Sequence, residues 1–129
     1  MIKVSQLKKS YGSFEAVKGI SFDVHEGEIF GLLGPNGAGK STTLEIMETL
    51  RLKSSGEVNI AGFDLDRQPD EIKKIIGVQL QTSGFYPGLK LVELIDLFSG
   101  LYNRKVDPME LLSKVNLEEK AKSLLTAKR

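Results

Sequence analysis

Nine consecutive residues have the types and the spacing of a phosphate-binding loop, G-x-x-x-x-G-K-[ST]. They read Gly34-Pro35-Asn36-Gly37-Ala38-Gly39-Lys40-Ser41-Thr42. A polyphosphate needs several hydrogen-bond donors that converge on it, and glycines leave the backbone N–H groups accessible. Lys40 would bring a full positive charge to the β and γ phosphates. The Ser41 hydroxyl would ligate Mg²⁺, a cation that prefers oxygen ligands. The stretch therefore predicts a site for a nucleoside triphosphate.

The residues on either side of this loop support the prediction. Residues 28–33 are a short apolar segment typical of a buried strand. Residues 41–50 place Leu44, Met47 and Leu50 at helical spacing. A helix that begins near Gly39 would add unpaired N–H groups and the positive end of its dipole. A strand, a glycine-rich loop and a helix in this order favour phosphate binding over a chance glycine-rich turn that contains Lys-Ser.

Length and composition set limits on the class of protein. The chain has 129 residues, 40% of them hydrophobic and 27% charged, with a net charge of +1. These values are ordinary for one globular domain, and the charge predicts no nucleic-acid partner. There is no cysteine, which fits a reducing compartment. No apolar run approaches the roughly 18 residues of a membrane span, so we expect a cytoplasmic chain that reaches a membrane only through a partner.

The remaining patterns predict an α/β fold that opens with an antiparallel β meander. Residues 1–8 and 16–24 alternate between apolar and polar residues and are joined by short turns to each other and to residues 28–33. The only histidine, His25, lies in the second turn, where we expect a surface position. The further predicted elements are strands at residues 57–61 and 75–80, and helices at residues 69–74, at 91–102 and from Asp107 onward.

With these features in place, the chain resembles the ATP-binding subunit of ABC transporters. The resemblance is carried by the loop, by Gly27-Glu28-Ile29 before it and by Ser55-Gly56-Glu57-Val58 after it. It extends from the N-terminus to about residue 120, and it is strongest toward exporter-type subunits. It implies a P-loop NTPase fold of the ABC type, ATP and Mg²⁺ as cofactors, and ATP hydrolysis that drives transport across a membrane.

The resemblance also implies roles for residues outside the loop. Tyr11 matches an aromatic that stacks on adenine, a contact that adds affinity with little base preference. Val17 matches a small apolar position beside the same ring. Gln81 matches the Q-loop glutamine, which contacts Mg²⁺ or the attacking water, although Gln79 competes for this role. The predicted metal ligands are therefore Ser41 and Gln81, and the predicted nucleotide contacts are Tyr11, Val17 and residues 34–42.

Two protein partners follow from the resemblance. One is a transmembrane permease subunit, which would hold this chain at the inner face of the membrane and contact residues 85–98. Lys90-Leu91 stand where the family often has Thr-Val, a departure that bears on docking and not on the ATP site. The other partner is a second ATP-binding subunit, whose signature sequence would close the site.

Part of the family's catalytic set has no counterpart here. The signature Leu-Ser-Gly-Gly-Gln is expected just after residue 122, where the chain instead reads Lys122-Ser123-Leu124-Leu125-Thr126-Ala127-Lys128-Arg129. No apolar strand that ends in Asp-Glu follows the loop, so the Walker B aspartate and the adjacent base are missing. Lys40 and Gln81 contribute to an incomplete catalytic set. We therefore expect residues 1–129 to be the N-terminal part of one nucleotide-binding domain, or a natural short form, that binds ATP without hydrolysing it.

This interpretation has a folding consequence and two competitors. In the family, the Walker B strand lies beside residues 28–33, so we expect an unpaired strand edge and self-association. One competing function is that of a soluble nucleotide-binding ABC module without a membrane partner. The other is a P-loop kinase of small molecules, which is disfavoured because kinases usually place the loop after their first strand.

Overall fold

A computed structural model describes residues 1–79 and 88–125 of the chain. These residues belong to two compact units, residues 1–78 and residues 79–129. Each unit has its own buried side chains, and the two are described separately below.

The first unit is built on a four-stranded antiparallel sheet. Its strands are β1 (Ile2–Tyr11), β2 (Phe14–Val24), β3 (Ser55–Ile60) and the short β4 (Phe63–Asp64), in the order β2-β1-β3-β4. The alternating segments at the N-terminus and at residues 57–61 are therefore strands, as predicted. β4 was not predicted, because a strand of two residues is too short to show an alternating pattern.

Two helices complete the core of this unit. The helix α1 (Lys40–Met47) follows the glycine-rich loop, and α2 (Pro69–Ile75) begins with a proline in its first turn. Ile46 of α1 and Ile72 of α2 are fully buried. They join one apolar cluster with Leu65, which follows β4, and with inward side chains of the sheet, namely Val4, Leu7, Val17, Val58 and Ile60. The sheet and α1 therefore share a core, which places the loop before α1 at the border of that core.

The second unit contains two helices and a short 3₁₀ turn. The helix α3 (Leu91–Leu101) and the helix α4 (Pro108–Ser113) match the predictions. Asp107 caps α4 by accepting a hydrogen bond from the Met109 N–H at 2.9 Å. The buried side chains here are Leu94, Leu112 and Ala121. Nowhere in residues 1–79 and 88–125 does a helix reach the length and hydropathy that crossing a membrane requires.

Two predicted strands are wrong within the described residues. Residues 28–33 are not a strand, and Ile29 and Leu33 are 99% and 91% exposed. Ile75 ends α2 and residues 76–79 belong to no strand, while Leu80 lies outside the described residues. A strand needs a neighbouring strand for its N–H and C=O groups, and among the described residues neither segment has one. The one ring contact recorded for residues 28–33 is that of Phe30, which stacks on Phe22 of β2 with ring centroids 5.0 Å apart.

Candidate functional site

The loop between β2 and α1 uses a glycine wherever its backbone turns left-handed. Gly34, Gly37 and Gly39 have φ angles of +153°, +82° and +81°. Side chains at such φ values are strained, so these positions favour glycine. The Ala38 N–H donates to the Pro35 carbonyl at 3.3 Å, which closes the turn. Gly39 is the N-cap of α1, so the loop leads directly into the first turn of the helix.

Among the described residues, three backbone donors at the start of α1 have no hydrogen-bond partner. The first amide that bonds back to the loop is that of Thr43, whose N–H and hydroxyl both donate to the Gly39 carbonyl, at 2.8 Å and 2.9 Å. Within the described part of the chain, no hydrogen bond uses the amides of Lys40, Ser41 or Thr42. Unpaired N–H groups at a helix N-terminus, with the helix dipole behind them, form an anion-binding arrangement. This arrangement therefore suits a phosphate group.

The glycine-rich loop packs against β2 at Gly39. A Cβ atom built on Gly39 would lie 2.2 Å from the Ala16 carbonyl oxygen and 3.1 Å from Cγ2 of Val17. The backbone of the loop therefore packs directly on β2, at a distance that only a glycine permits. This contact holds the amides at the start of α1 in place without any capping side chain.

The Lys40 side chain folds back over the loop that precedes it. Its Nζ atom donates to the Gly34 carbonyl at 2.7 Å and to the Pro35 carbonyl at 2.6 Å. An ammonium group has three donors, so at least one remains for a phosphate oxygen. The two carbonyl bonds hold the positive charge at the loop, where it reduces the cost of bringing in a polyanion.

The other predicted loop residues are accessible to a ligand. Residues 34–38 and Ser41 are exposed, and Thr42 is half-buried. The Ser41 hydroxyl is therefore free to meet a hydrated Mg²⁺, which usually keeps several of its waters. Gln81, the second predicted metal ligand, lies outside the described residues. Its competitor Gln79 is described and exposed.

The two predicted base contacts differ in accessibility. Tyr11 ends β1 with 43% of its surface exposed. Val17 is only 3% exposed, because it packs in the core and beside Gly39. Both nucleotide roles stay predictions. His25 is exposed as predicted, and its backbone N–H donates to the Glu28 carboxylate at 2.7 Å.

The sequence did not predict the roles of Arg51, which contacts Tyr11, and of Glu45, which contacts Arg51. The Arg51 guanidinium donates one hydrogen bond to the Tyr11 hydroxyl at 2.5 Å and another to the Glu45 carboxylate at 2.6 Å. Tyr11 is 40 residues from Arg51 and Glu45 is six residues from it, and no motif links the three. A helical position such as Glu45 also carries no signal of its own, because charged residues on exposed helix faces are common.

Comparison with known protein families and relatives agrees with this geometry. The family model described as "ABC transporter" matches residues 17–129. The linearmycin resistance ATP-binding protein of Bacillus subtilis (strain 168) is 38% identical over 127 residues, which cover 95% of this chain and 41% of the relative. The daunorubicin resistance ATP-binding protein of Streptomyces coeruleorubidus is 35% identical over 102 residues, covering 79% of this chain and 32% of the relative. The chain thus spans less than half the length of these relatives.

Solved structures show the same similarity in three dimensions. An ATP-binding subunit of an ABC transporter superimposes with a TM-score of 0.83 at 28% identity, over 96% of this chain and 54% of that one. A dimeric ATP-binding cassette in a post-hydrolysis state, bound to ADP and Pi, superimposes with a TM-score of 0.79 at 28% identity, over 100% of this chain and 63% of that one. The family model covers most of the chain, and the fold and the loop agree with it. This chain therefore belongs to the ABC transporter family and has the P-loop NTPase fold of that family's ATP-binding proteins.

Proposed function

We propose that the chain binds ATP with Mg²⁺ through residues 34–42, as part of a subunit in which ATP hydrolysis drives transport across a membrane. The observation that carries the proposal is the start of α1, where the amides of residues 40–42 have no partner among the described residues and the Lys40 ammonium group is bonded to the preceding loop. The amides would bind phosphate oxygens, and Lys40 would offset the phosphate charge. Ser41 would contribute a hydroxyl to Mg²⁺, which neutralises further phosphate charge when bound.

The relatives favour a transport role over that of a soluble module. Two of them are named for resistance to linearmycin and to daunorubicin, which supports an exporter and, more specifically, one that removes such compounds. One similar structure is a dimer that holds ADP and Pi, which supports a second ATP-binding subunit as a partner. The proposed location is the inner face of the membrane, where a permease subunit would hold the chain.

We further propose that residues 1–129, as the N-terminal portion of one nucleotide-binding domain, bind nucleotide without hydrolysing it. Transfer of a phosphoryl group to water needs a residue that orients the attacking water, in addition to a phosphate cradle and a metal ion. The sequence contains no apolar strand ending in Asp-Glu after the loop. The purified chain should therefore release phosphate from ATP only at the background rate, and steady release would contradict this part of the proposal.

Binding is tested by removing the lysine charge. We expect Lys40→Ala to weaken the affinity for ATP by about 10-fold to 100-fold, because a charge-assisted hydrogen bond contributes about 1.5–3 kcal/mol. Isothermal titration calorimetry in the presence of Mg²⁺ measures the dissociation constant directly. Unchanged affinity for ATP would show that residues 34–42 do not bind the phosphates.

The matched control is Lys3→Ala. Lys3 is exposed near the start of β1, far along that strand from Tyr11, and the substitution removes the same unit of charge. The control should leave the affinity for ATP within about twofold, since long-range effects of exposed charges are screened by salt. Thermal melting of both variants separates lost binding from lost folding.

Self-association is a further expected property. Ile29 and Leu33 are almost fully exposed in a segment whose backbone is unpaired among the described residues. Such a segment can pair with another copy or exchange elements with it. Light scattering should show an average mass that rises with protein concentration. The double substitution Ile29→Lys with Leu33→Lys should reduce that rise, whereas Leu52→Lys, at a similarly exposed leucine in a loop, should not. A monomer at high concentration would contradict the prediction.

A further inference from the structure

Three side chains from separate parts of the first unit form one polar cluster beside the predicted base contact. Tyr11 ends β1, Glu45 lies in α1, and Arg51 follows that helix. The Arg51 Nη1 atom donates to the Tyr11 hydroxyl at 2.5 Å, and its Nε atom donates to the Glu45 carboxylate at 2.6 Å. One planar guanidinium therefore links the aromatic ring to the helix that begins at the phosphate loop.

The backbone around Arg51 is held by the same helix. The N–H groups of Leu50 and Arg51 both donate to the Glu45 carbonyl, at 2.9 Å and 3.1 Å. The Arg51 side chain then bonds to the carboxylate of that same residue. Because Glu45 holds both the backbone and the side chain, the guanidinium has little freedom to move away from α1.

The loop that follows Arg51 is hydrogen-bonded through Ser54 to β1, close to Tyr11. The Ser54 N–H donates to the Lys8 carbonyl at 2.9 Å, and the Ser54 hydroxyl accepts from the Ser10 N–H at 2.9 Å. The chain from Arg51 to Ser54 is thus attached at one end to α1 and at the other to β1. These bonds keep Arg51 within reach of the Tyr11 ring.

Two cations also lie near the ring. The Lys9 Nζ atom is 5.0 Å from the ring centroid, and the Arg51 Cζ atom is 5.6 Å from it. The hydrogen bond from Arg51 to Glu45 raises the pKa of Arg51 above its usual range. Cations within about 6 Å of an aromatic face are attracted to it. They restrict the rotation of a side chain that is otherwise partly exposed.

We propose that Arg51 is a positioning residue for the base of the bound nucleotide, acting through Tyr11. The inference rests on the proposed function, in which the phosphates lie at the N-terminus of α1, and on the predicted stacking of Tyr11 on the base. A nucleotide that is held there by its phosphates reaches the Tyr11 ring only if the ring is at a defined place relative to that helix. Arg51 sets this place because it bonds the ring's hydroxyl to Glu45, one and a half turns into α1 by the usual 3.6 residues per turn.

The test compares ATP with inorganic triphosphate, which has the phosphates but no base. Calorimetric titrations in the presence of Mg²⁺ give both dissociation constants for each variant. We expect Arg51→Ala to weaken ATP binding by about 5-fold to 10-fold while triphosphate binding stays within about twofold, because stacking contributes only to the base end. Tyr11→Phe keeps the ring and removes the hydroxyl bond, so it should weaken ATP binding by about threefold and leave triphosphate binding unchanged.

Two further variants separate positioning from charge. Arg51→Lys keeps the charge but cannot make two hydrogen bonds from one planar group, so it should resemble Arg51→Ala in the ratio of the two dissociation constants. Arg67→Ala removes an exposed arginine for which no side-chain contact is recorded among the described residues, and should leave both constants unchanged. Full recovery of ATP binding by Arg51→Lys would overturn the positioning role in favour of a simple charge effect.

The remaining outcomes are equally decisive. Equal weakening of ATP and triphosphate by Arg51→Ala, or no weakening of either, would overturn the inference. The proposed function fails in a different way, namely when Lys40→Ala leaves the binding of both ligands unchanged. A normal response to Lys40→Ala together with an unchanged ratio for Arg51→Ala would therefore refute the positioning role and leave the proposed phosphate site in place.

Discussion

Gly39→Ala is expected to lower the free energy of unfolding by about 2–5 kcal/mol and to abolish measurable binding of ATP. The φ angle of Gly39 is +81°, and the left-handed region costs an alanine about 1–2 kcal/mol. The new Cβ would also lie 2.2 Å from the Ala16 carbonyl oxygen, a backbone atom of β2 that cannot rotate away. Overpacking of this kind typically costs about 1–3 kcal/mol. The loop must move off β2, and the amides at the start of α1 move with it.

Gly37→Ala provides a matched control within the same loop. Its φ angle is +82°, but a Cβ there would meet nothing within 4 Å. The control therefore carries the conformational cost of about 1–2 kcal/mol without the clash. Urea denaturation measures the stability of both variants, and calorimetry measures their affinity for ATP. Equal stability of the two variants would show that the contact between the loop and β2 is not tight.

Gly56→Ala is expected to destabilise the sheet by a similar amount, about 2–5 kcal/mol. Its φ angle is +92°, and its Cβ would lie 2.3 Å from the Gln6 carbonyl oxygen and 2.7 Å from the Leu7 Cα. This is the point where β1 bulges, since the pairing with β3 shifts register between Ser5 and Lys8 and Gln6 has a φ of +47°. The backbones of β1 and β3 must separate there, which disturbs the fully buried Leu7 beside them. The free energy of unfolding of a typical domain is about 5–15 kcal/mol, so the loss expected for Gly56→Ala is a large part of it.

The control for this substitution is Gly62→Ala. Gly62 has a φ of +89°, and a Cβ there would meet nothing within 4 Å. Gly62→Ala should lower the free energy of unfolding only by the cost of placing an alanine at this φ angle, about 1–2 kcal/mol. Circular dichroism during urea denaturation measures the unfolding midpoints of Gly56→Ala and Gly62→Ala. A Gly56→Ala variant no less stable than Gly62→Ala would contradict the close approach of the two strands.

The glycine-rich loop at residues 34–42 and most of the secondary structure were predictable because they depend on local patterns. The loop is a contiguous motif whose glycines, lysine and serine are needed at fixed spacing. The strands β1, β2 and β3 follow from alternation of apolar and polar residues, and α3 from its helical period. The cap of α4 follows from Asp107 before Pro108.

The predictions failed where a segment depends on partners that are distant in the chain. Residues 28–33 have the apolar composition of a buried strand, yet composition does not provide a neighbouring strand, and in the described structure these residues remain unpaired. Residues 91–102 were predicted correctly as a helix. Leu94 is nevertheless the one buried residue of α3, and its other residues are at least partly exposed.

The sequence by itself determined the chemistry of the site, since the order of Gly39, Lys40 and Ser41 specifies amide donors, a cation and a hydroxyl at one helix start. Only the tertiary structure decided what holds this chemistry in place. The packing of Gly39 on Ala16 and the bonds from Arg51 to Tyr11 and Glu45 join residues that are from 6 to 40 positions apart. Such contacts leave no periodic or contiguous signal, because they arise when the sheet and α1 assemble around a common core.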